Sequence, residues 1–146
     1  QSSGKVAMSD TLAATLNCAS GTTWLRVSSL RRSATHGAPP IGWTDVYIDP
    51  RYADIPTLAR RRPRELISAL IEERHGRSAA AIDQEIRACA IDDGEIAEAL
   101  QVPIGTPALR IVRRYLDEAG AAFEMSASLH PADRYFVSMR LDQHGT

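Results

Sequence analysis

The chain has 146 residues, of which 44% are apolar and 24% charged, with a formal net charge of −1. That length suits one compact domain with a real core, and the balanced charge excludes a domain that grips nucleic acid through a basic surface of its own. No apolar run approaches the roughly 20 residues that cross a bilayer, and no secretory signal is visible.

In chain order, residues 1–8 read as a flexible, tag-like start (Gln1-Ser2-Ser3-Gly4) and are set aside from the fold. Asp10 is placed to cap a helix whose stripe is Leu12, Ala13 and Leu16, and Gly21 closes the connection. A strand follows over Trp24–Ser33, then a turn over 35–39, then a return strand over Ile41–Ile48. Pro63–His75 reads as a helix with the stripe Leu66, Ile67, Leu70 and Ile71, stopped by Gly76. Ser78–Ile91 reads as a strand with Ile82, Ile86, Ala88 and Ala90 on one face. Asp93 caps the next helix, with Ile96, Ala97 and Leu100 as its stripe, and Gly105 follows. Strands over Ala108–Leu116 and Ala121–His130 form a second hairpin, a last strand is expected at Tyr135–Leu141, and 143–146, with His144, is tail. About six strands and three helices, with adjacent hairpins, predict an α+β domain built on an antiparallel sheet.

The chain contains itself twice. Shifted by 84 residues, Ala13 falls on Ala97, Leu16 on Leu100, Gly21 on Gly105, Thr22 on Thr106, Leu25 on Leu109 and Arg26 on Arg110.

In the second hairpin Glu124, Ser126, Ser128 and His130 alternate with Met125, Ala127 and Leu129, so one strand face is polar and the other apolar. That polar face is either the wall of a hydrogen-bonding pocket or simply wet. On the facing strand Arg113 shares a face with Leu109, Ile111 and Tyr115; it can pair Glu124, clamp a ligand anion, or form a surface ion pair. In the first copy Leu25, Val27, Ser29 and Arg31 alternate likewise. The basic run Arg60-Arg61-Arg62-Pro63-Arg64, His36 and His75 read as solvated surface, and Cys18 and Cys89 lack metal spacing and read as reduced thiols. There is no serine elbow, no metal-spaced histidine pair and no phosphate-binding glycine loop, so neither enzyme, metal nor cofactor is expected. Glu124 with His130 as an acid/base pair is the one catalytic alternative, and a ligand-free dimerisation module is the other.

Several segments resemble one family. Gly94-Glu95-Ile96-Ala97-Glu98-Ala99-Leu100, Gly105-Thr106-Pro107, Leu109-Arg110-Ile111-Val112-Arg113-Arg114, Phe123-Glu124-Met125-Ser126-Ala127-Ser128 and Asp133-Arg134-Tyr135 are similar to the UTRA pattern, with weaker echoes at Leu12-Ala13, Gly21, Leu30-Arg31, Pro40 and Tyr47-Ile48. The resemblance covers about residues 9–142. It implies a chorismate lyase-like fold and a small-molecule effector domain of a GntR/HutC-type transcription regulator: cytoplasmic, homodimeric, and acting on operator DNA through an N-terminal winged helix–turn–helix domain that this chain is expected to lack. It also implies ligand contacts from Arg31, Thr44, Arg113, Glu124, Ser126 and His130, with no membrane partner. The family often has Arg-x-Arg where this chain has Ser29 and Arg31, an acid where it has Thr44, and a tyrosine where it has His130. A chorismate lyase-like enzyme acting on a small carboxylate belongs to a related fold and is the runner-up.

Overall fold

The computed structural model describes residues 2–143. Six strands, β1 (Ser2–Ala7), β2 (Thr23–Arg31), β3 (Gly42–Ile48), β4 (Ala81–Ala90), β5 (Pro107–Leu116) and β6 (Ala122–Pro131), form one antiparallel sheet in the order β1-β2-β3-β6-β5-β4. Four helices accompany it: α1 (Asp10–Leu16), α2 (Ile55–Arg61), α3 (Ile67–His75) and α4 (Gly94–Leu100).

The repeat is built from matched turn chemistry. The Ser9 hydroxyl accepts from Leu12 N–H and the Asp93 carboxylate from Glu95 and Ile96 N–H, so two capped helices start 84 positions apart. The first cap is Ser9 and not Asp10, which sits in the first turn, where its charge favours the helix N-terminus. Both helices end on left-handed residues, Asn17 at φ 53° and Gln101 at φ 60°. In both copies a left-handed glycine follows, Gly21 at φ 88° and Gly105 at φ 93°.

The duplication reaches further back than the sequence reading placed it. Lys5 faces Leu25 on β2 just as Ala88 faces Leu109 on β5, so β1 is the counterpart of β4. Residues 2–7 are therefore an edge strand and not a flexible start. Each unit is strand–helix–hairpin, and the units meet where Thr44 lies opposite Ser128, positions 84 apart in sequence, their hydroxyls 3.0 Å from each other.

On one sheet face α1 and α4 cross over: Ala13 and Leu16 pack with Tyr47, Val112 and Met125, while Ala97 and Leu100 pack with Ile91 and Ala108 against Leu30, Trp43 and Leu129. On the other face α2 and α3 cover one end of the sheet, where Ile55, Ala59, Leu70 and Ile71 bury Leu25, Val27, Ile48 and Phe123. Each fully buried aliphatic side chain here is worth about 1.5–3 kcal/mol of transfer free energy.

Two further expectations are corrected. The helix predicted over Pro63–His75 starts at Ile67, because Pro63 and Arg64 occupy a turn closed from Glu65 N–H to the Arg62 carbonyl; the arginine run before it belongs to α2. Tyr135–Leu141 forms no strand. After β6 the chain turns, and the Arg134 guanidinium donates to the carbonyls of Pro40, Leu100 and Gln101, which ties down the exit of the strand. Of the tail expected at 143–146, Gln143 is described and 144–146, His144 included, lie outside the described residues.

Candidate functional site

Strand register decides which side chains share a face. Leu25, Ile48, Glu124 and Tyr115 line up across β2, β3, β6 and β5; two residues on, Val27, Val46, Ser126 and Arg113 do so; then Ser29, Thr44, Ser128 and Ile111. Arg31 faces Gly42, and His130 faces Leu109. Arg31, Thr44, Arg113, Glu124, Ser126 and His130 therefore all stand on one face, the one carrying α2 and α3. Asp45 points to the opposite face, held by the Ser28 hydroxyl and, at 3.2 Å, the Trp43 indole N–H.

The face closes at both ends and stays partly open in the middle. At one end Glu124, only 3% exposed, lies at the margin of the α2–α3 cluster. Burial pushes its carboxyl up to about 8, and its Oε1 has no hydrogen-bond partner among the described residues. A buried, unpaired acceptor of this kind costs about 1–3 kcal/mol, so the group is held where a donor is missing.

At the other end His130 is 2% exposed. Its Nδ1 lies 2.8 Å from the Ile41 carbonyl, which only accepts, so Nδ1 carries the proton and Nε2 is left as the acceptor in the neutral ring. Burial lowers its affinity for a second proton, the Ile41 hydrogen bond works against this, and the Arg31 charge adds to the lowering. Tyr135 stacks on the ring, centroids 3.9 Å apart and planes 11° from parallel. Below it Gly42 has no room for a side chain: a Cβ there would sit 2.3 Å from His130 Nδ1.

Between these ends Ser29, Thr44, Ser126 and Ser128 form a half-buried hydroxyl floor. Arg31 and Arg113 are exposed at its rim. Arg113 does not reach Glu124; its Nε donates to Gln84 Oε1 at 2.7 Å, on the neighbouring β4. Glu124 and His130 stand six residues apart on one strand, a separation of roughly 20 Å, which rules out the two acting as acid and base on one bond.

Two open clefts, of about 280 and 240 Å³, lie beside α1 on the other side of the sheet; one is lined by Glu85, Arg87 and Arg110, the other by Asp83, Gln84 and Arg114. None of the six expected residues lines them. Two residues of the neighbourhood escaped sequence reasoning: Arg134, which anchors the exit of β6, and Tyr135, which roofs His130. The signal for both was the Asp133-Arg134-Tyr135 motif.

The fold has known relatives. The model of the UTRA domain family matches residues 2–135. In fold the chain is similar to the ligand-binding domain of a protein assigned to the GntR-family transcriptional regulators from Bordetella bronchiseptica, with TM-score 0.77 and 21% identity over 97% of this chain and 86% of that one. It is also similar to a GntR-family transcriptional regulator from Enterococcus faecalis V583, with TM-score 0.73 and 19% identity over 96% of each chain. For the effector domain of PhnF from Mycobacterium smegmatis the TM-score is 0.71 and the identity 19%, over 97% of this chain and 84% of that one. Among curated proteins none matches this sequence. The chain belongs to the UTRA domain family, a chorismate lyase-like α+β fold that serves GntR-family transcription regulators as their effector-binding regulatory domain.

Proposed function

We propose that the hydroxyl floor is the effector site, contacted by Arg31, Thr44, Arg113, Glu124, Ser126 and His130. The observation that carries this is Glu124: a buried carboxyl with an unfilled acceptor, at the edge of an open polar strip. The effector is a small polar metabolite with a donor-rich part and a carboxylate, seated on the hydroxyl floor between Glu124 and Arg31. Serine and threonine hydroxyls between them supply donors and acceptors that fit hydroxyl groups.

The domain works without catalysis, as part of a cytoplasmic, homodimeric repressor of the HutC subfamily. Operator DNA is held by a winged helix–turn–helix domain N-terminal to this one. No helix is long and apolar enough to cross a membrane among the described residues. Effector binding favours one arrangement of the two hairpins, and its leverage on DNA affinity equals its difference in affinity for the two arrangements, typically about 1–3 kcal/mol.

A thermal-shift screen of polar metabolites tests this. A true effector raises Tm with concentration, as ligand linkage requires, and is recovered unchanged. Glu124→Gln weakens that response while the apo protein stays folded. A metabolite consumed during the assay, or a response indifferent to Glu124, removes the assignment.

A further inference from the structure

The sheet face opposite the hydroxyl floor carries charge that the fold leaves unpaired. Its two open clefts, of about 280 and 240 Å³, share Glu85 and Val112 and run together as one trough between α1, β4 and β5. Arg87 stands directly opposite Arg110 in the β4–β5 register, at the end of the trough walled by Thr15 of α1. Like charges directly opposite on neighbouring strands repel. Arg110 is half-buried, yet among the described residues neither guanidinium has an ion-pair partner, whereas Arg114, four residues along β5, pairs with Asp83. Glu85, two residues from Arg87 on the same face, forms no ion pair among the described residues either.

The first half of the duplication shows what the framework itself requires. Arg26 is the counterpart of Arg110; it faces Gly4 on the edge strand β1 and Tyr47 on β3, and it interacts with the Tyr47 phenol. In the second half Arg110 faces Arg87 on the edge strand and Leu129 on β6. The same backbone therefore holds a single partnered arginine in one half and an unpartnered pair in the other. Folding does not call for the pair, since glycine fills the matching edge position.

We propose that this trough binds a small zwitterion, an amino acid, with its carboxylate between Arg87 and Arg110 and its ammonium group on Glu85. Guanidinium forks match the two oxygens of a carboxylate, and a pair of them can satisfy most of its lone pairs. Glu85 sets the other end: its free carboxylate repels a second negative charge and accepts from an ammonium group. The Thr15 hydroxyl donates to the Thr11 carbonyl at 3.2 Å, which leaves its oxygen free to accept from the same group. Glu85 and Arg87 are about 7 Å apart along the strand, a gap the long arginine side chains close around a short ligand. The larger cleft, about 280 Å³, falls just under the range of about 300–1,000 Å³ that holds drug-sized ligands, so its occupant has few atoms.

The trough lies across the sheet from Glu124 and His130, and this site does not depend on the effector floor. Its wall α1 comes from the first half of the duplication, while β4 and β5 come from the second. An amino acid held there bridges the two halves without competing for the floor.

Amide shift mapping of the full chain tests this, with each common amino acid in turn and with acetate and methylammonium as one-charge controls. At least one amino acid is expected to give saturating shifts at Thr15, Arg110 and Val112, and to bind about tenfold or more tightly than either control. Arg110→Gln and the fully exposed Arg87→Gln each weaken it by about tenfold or more, with thermal melts showing that both variants stay folded. Glu85→Gln weakens the amino acid likewise but leaves acetate bound as well as before or better, since it removes a repulsive charge. Acetate bound as tightly as the best amino acid overturns the zwitterion assignment. The absence of saturating shifts at those three residues with any amino acid overturns the site. Shifts confined to Thr44, Ser126 and Ser128 overturn it as well and leave the effector floor standing.

Discussion

Replacing Glu124 by glutamine tests whether its carboxyl is held as a buried acid. The side chain is 3% exposed, and its carboxyl rises from an ordinary 4.5 to about 8 in the fold. A raised folded value means that the folded state binds the proton more tightly than the unfolded chain. The stabilisation is complete below the unfolded value and is lost as pH rises through the folded one. Between these limits each pH unit costs about 1.4 kcal/mol, so the native protein gives up about 2 kcal/mol from this group between pH 6 and pH 8. Glutamine has the same shape and no proton to lose, so the variant lacks that slope. His130 acts in the other direction, since its lowered folded value removes stability as pH falls below the ordinary histidine range. It is present in both proteins and cancels from the difference. Urea unfolding at pH 5, 6, 7 and 8, analysed as unfolding free energy for each protein, reads the effect. The variant gains on the native protein as pH rises; parallel profiles would refute the buried-acid account.

Gly42→Ala drives a methyl into the His130 ring and costs about 1–3 kcal/mol by chemical denaturation. Paired with His130→Ala the cost shrinks, and additive losses would mean the two do not touch. Ser9→Ala and Asp93→Ala remove equivalent caps and lose about 1 kcal/mol each, independently of one another. Leu100→Ala empties a fully buried site beneath α4 and costs about 2–5 kcal/mol, read as a lowered Tm.

The duplication was legible because turns repeat more faithfully than strands: Gly21 and Gly105 sit where only a left-handed residue fits, and the helices before them carry the same stripe. The strand β1 was not legible. Ser2–Ala7 is exposed at almost every position, so no alternation marks it, and its state is imposed by the open edge of β2. The helix α2 was hidden by Pro56 and by three arginines that drew attention to charge, although Ile55, Leu58 and Ala59 already had helical spacing. Arg60 of that run donates to Ser3 at 2.8 Å, and Arg62 bonds Glu73 at 2.6 Å, so two of its guanidinium groups are engaged within the fold. At the site, alternation grouped Glu124, Ser126 and His130 on one strand and set Arg113 and Arg31 on a face of theirs, Thr44 came from the family resemblance, and only strand register puts all six on one sheet face. Alternation could not show that Glu124 is sealed at one end and His130 at the other, because burial there comes from α2 and α3, distant in sequence, and from Tyr135, which the chain folds back onto the ring only after a turn.

The most direct measurement is an amide ¹H–¹⁵N shift map of the protein titrated with the best metabolite from the thermal screen. The effector reading predicts saturating shifts at Thr44, Ser126 and Ser128, with Glu124 and His130 at the two ends. Shifts confined to Arg87, Arg110 and α1, on the opposite side of the sheet, would contradict it.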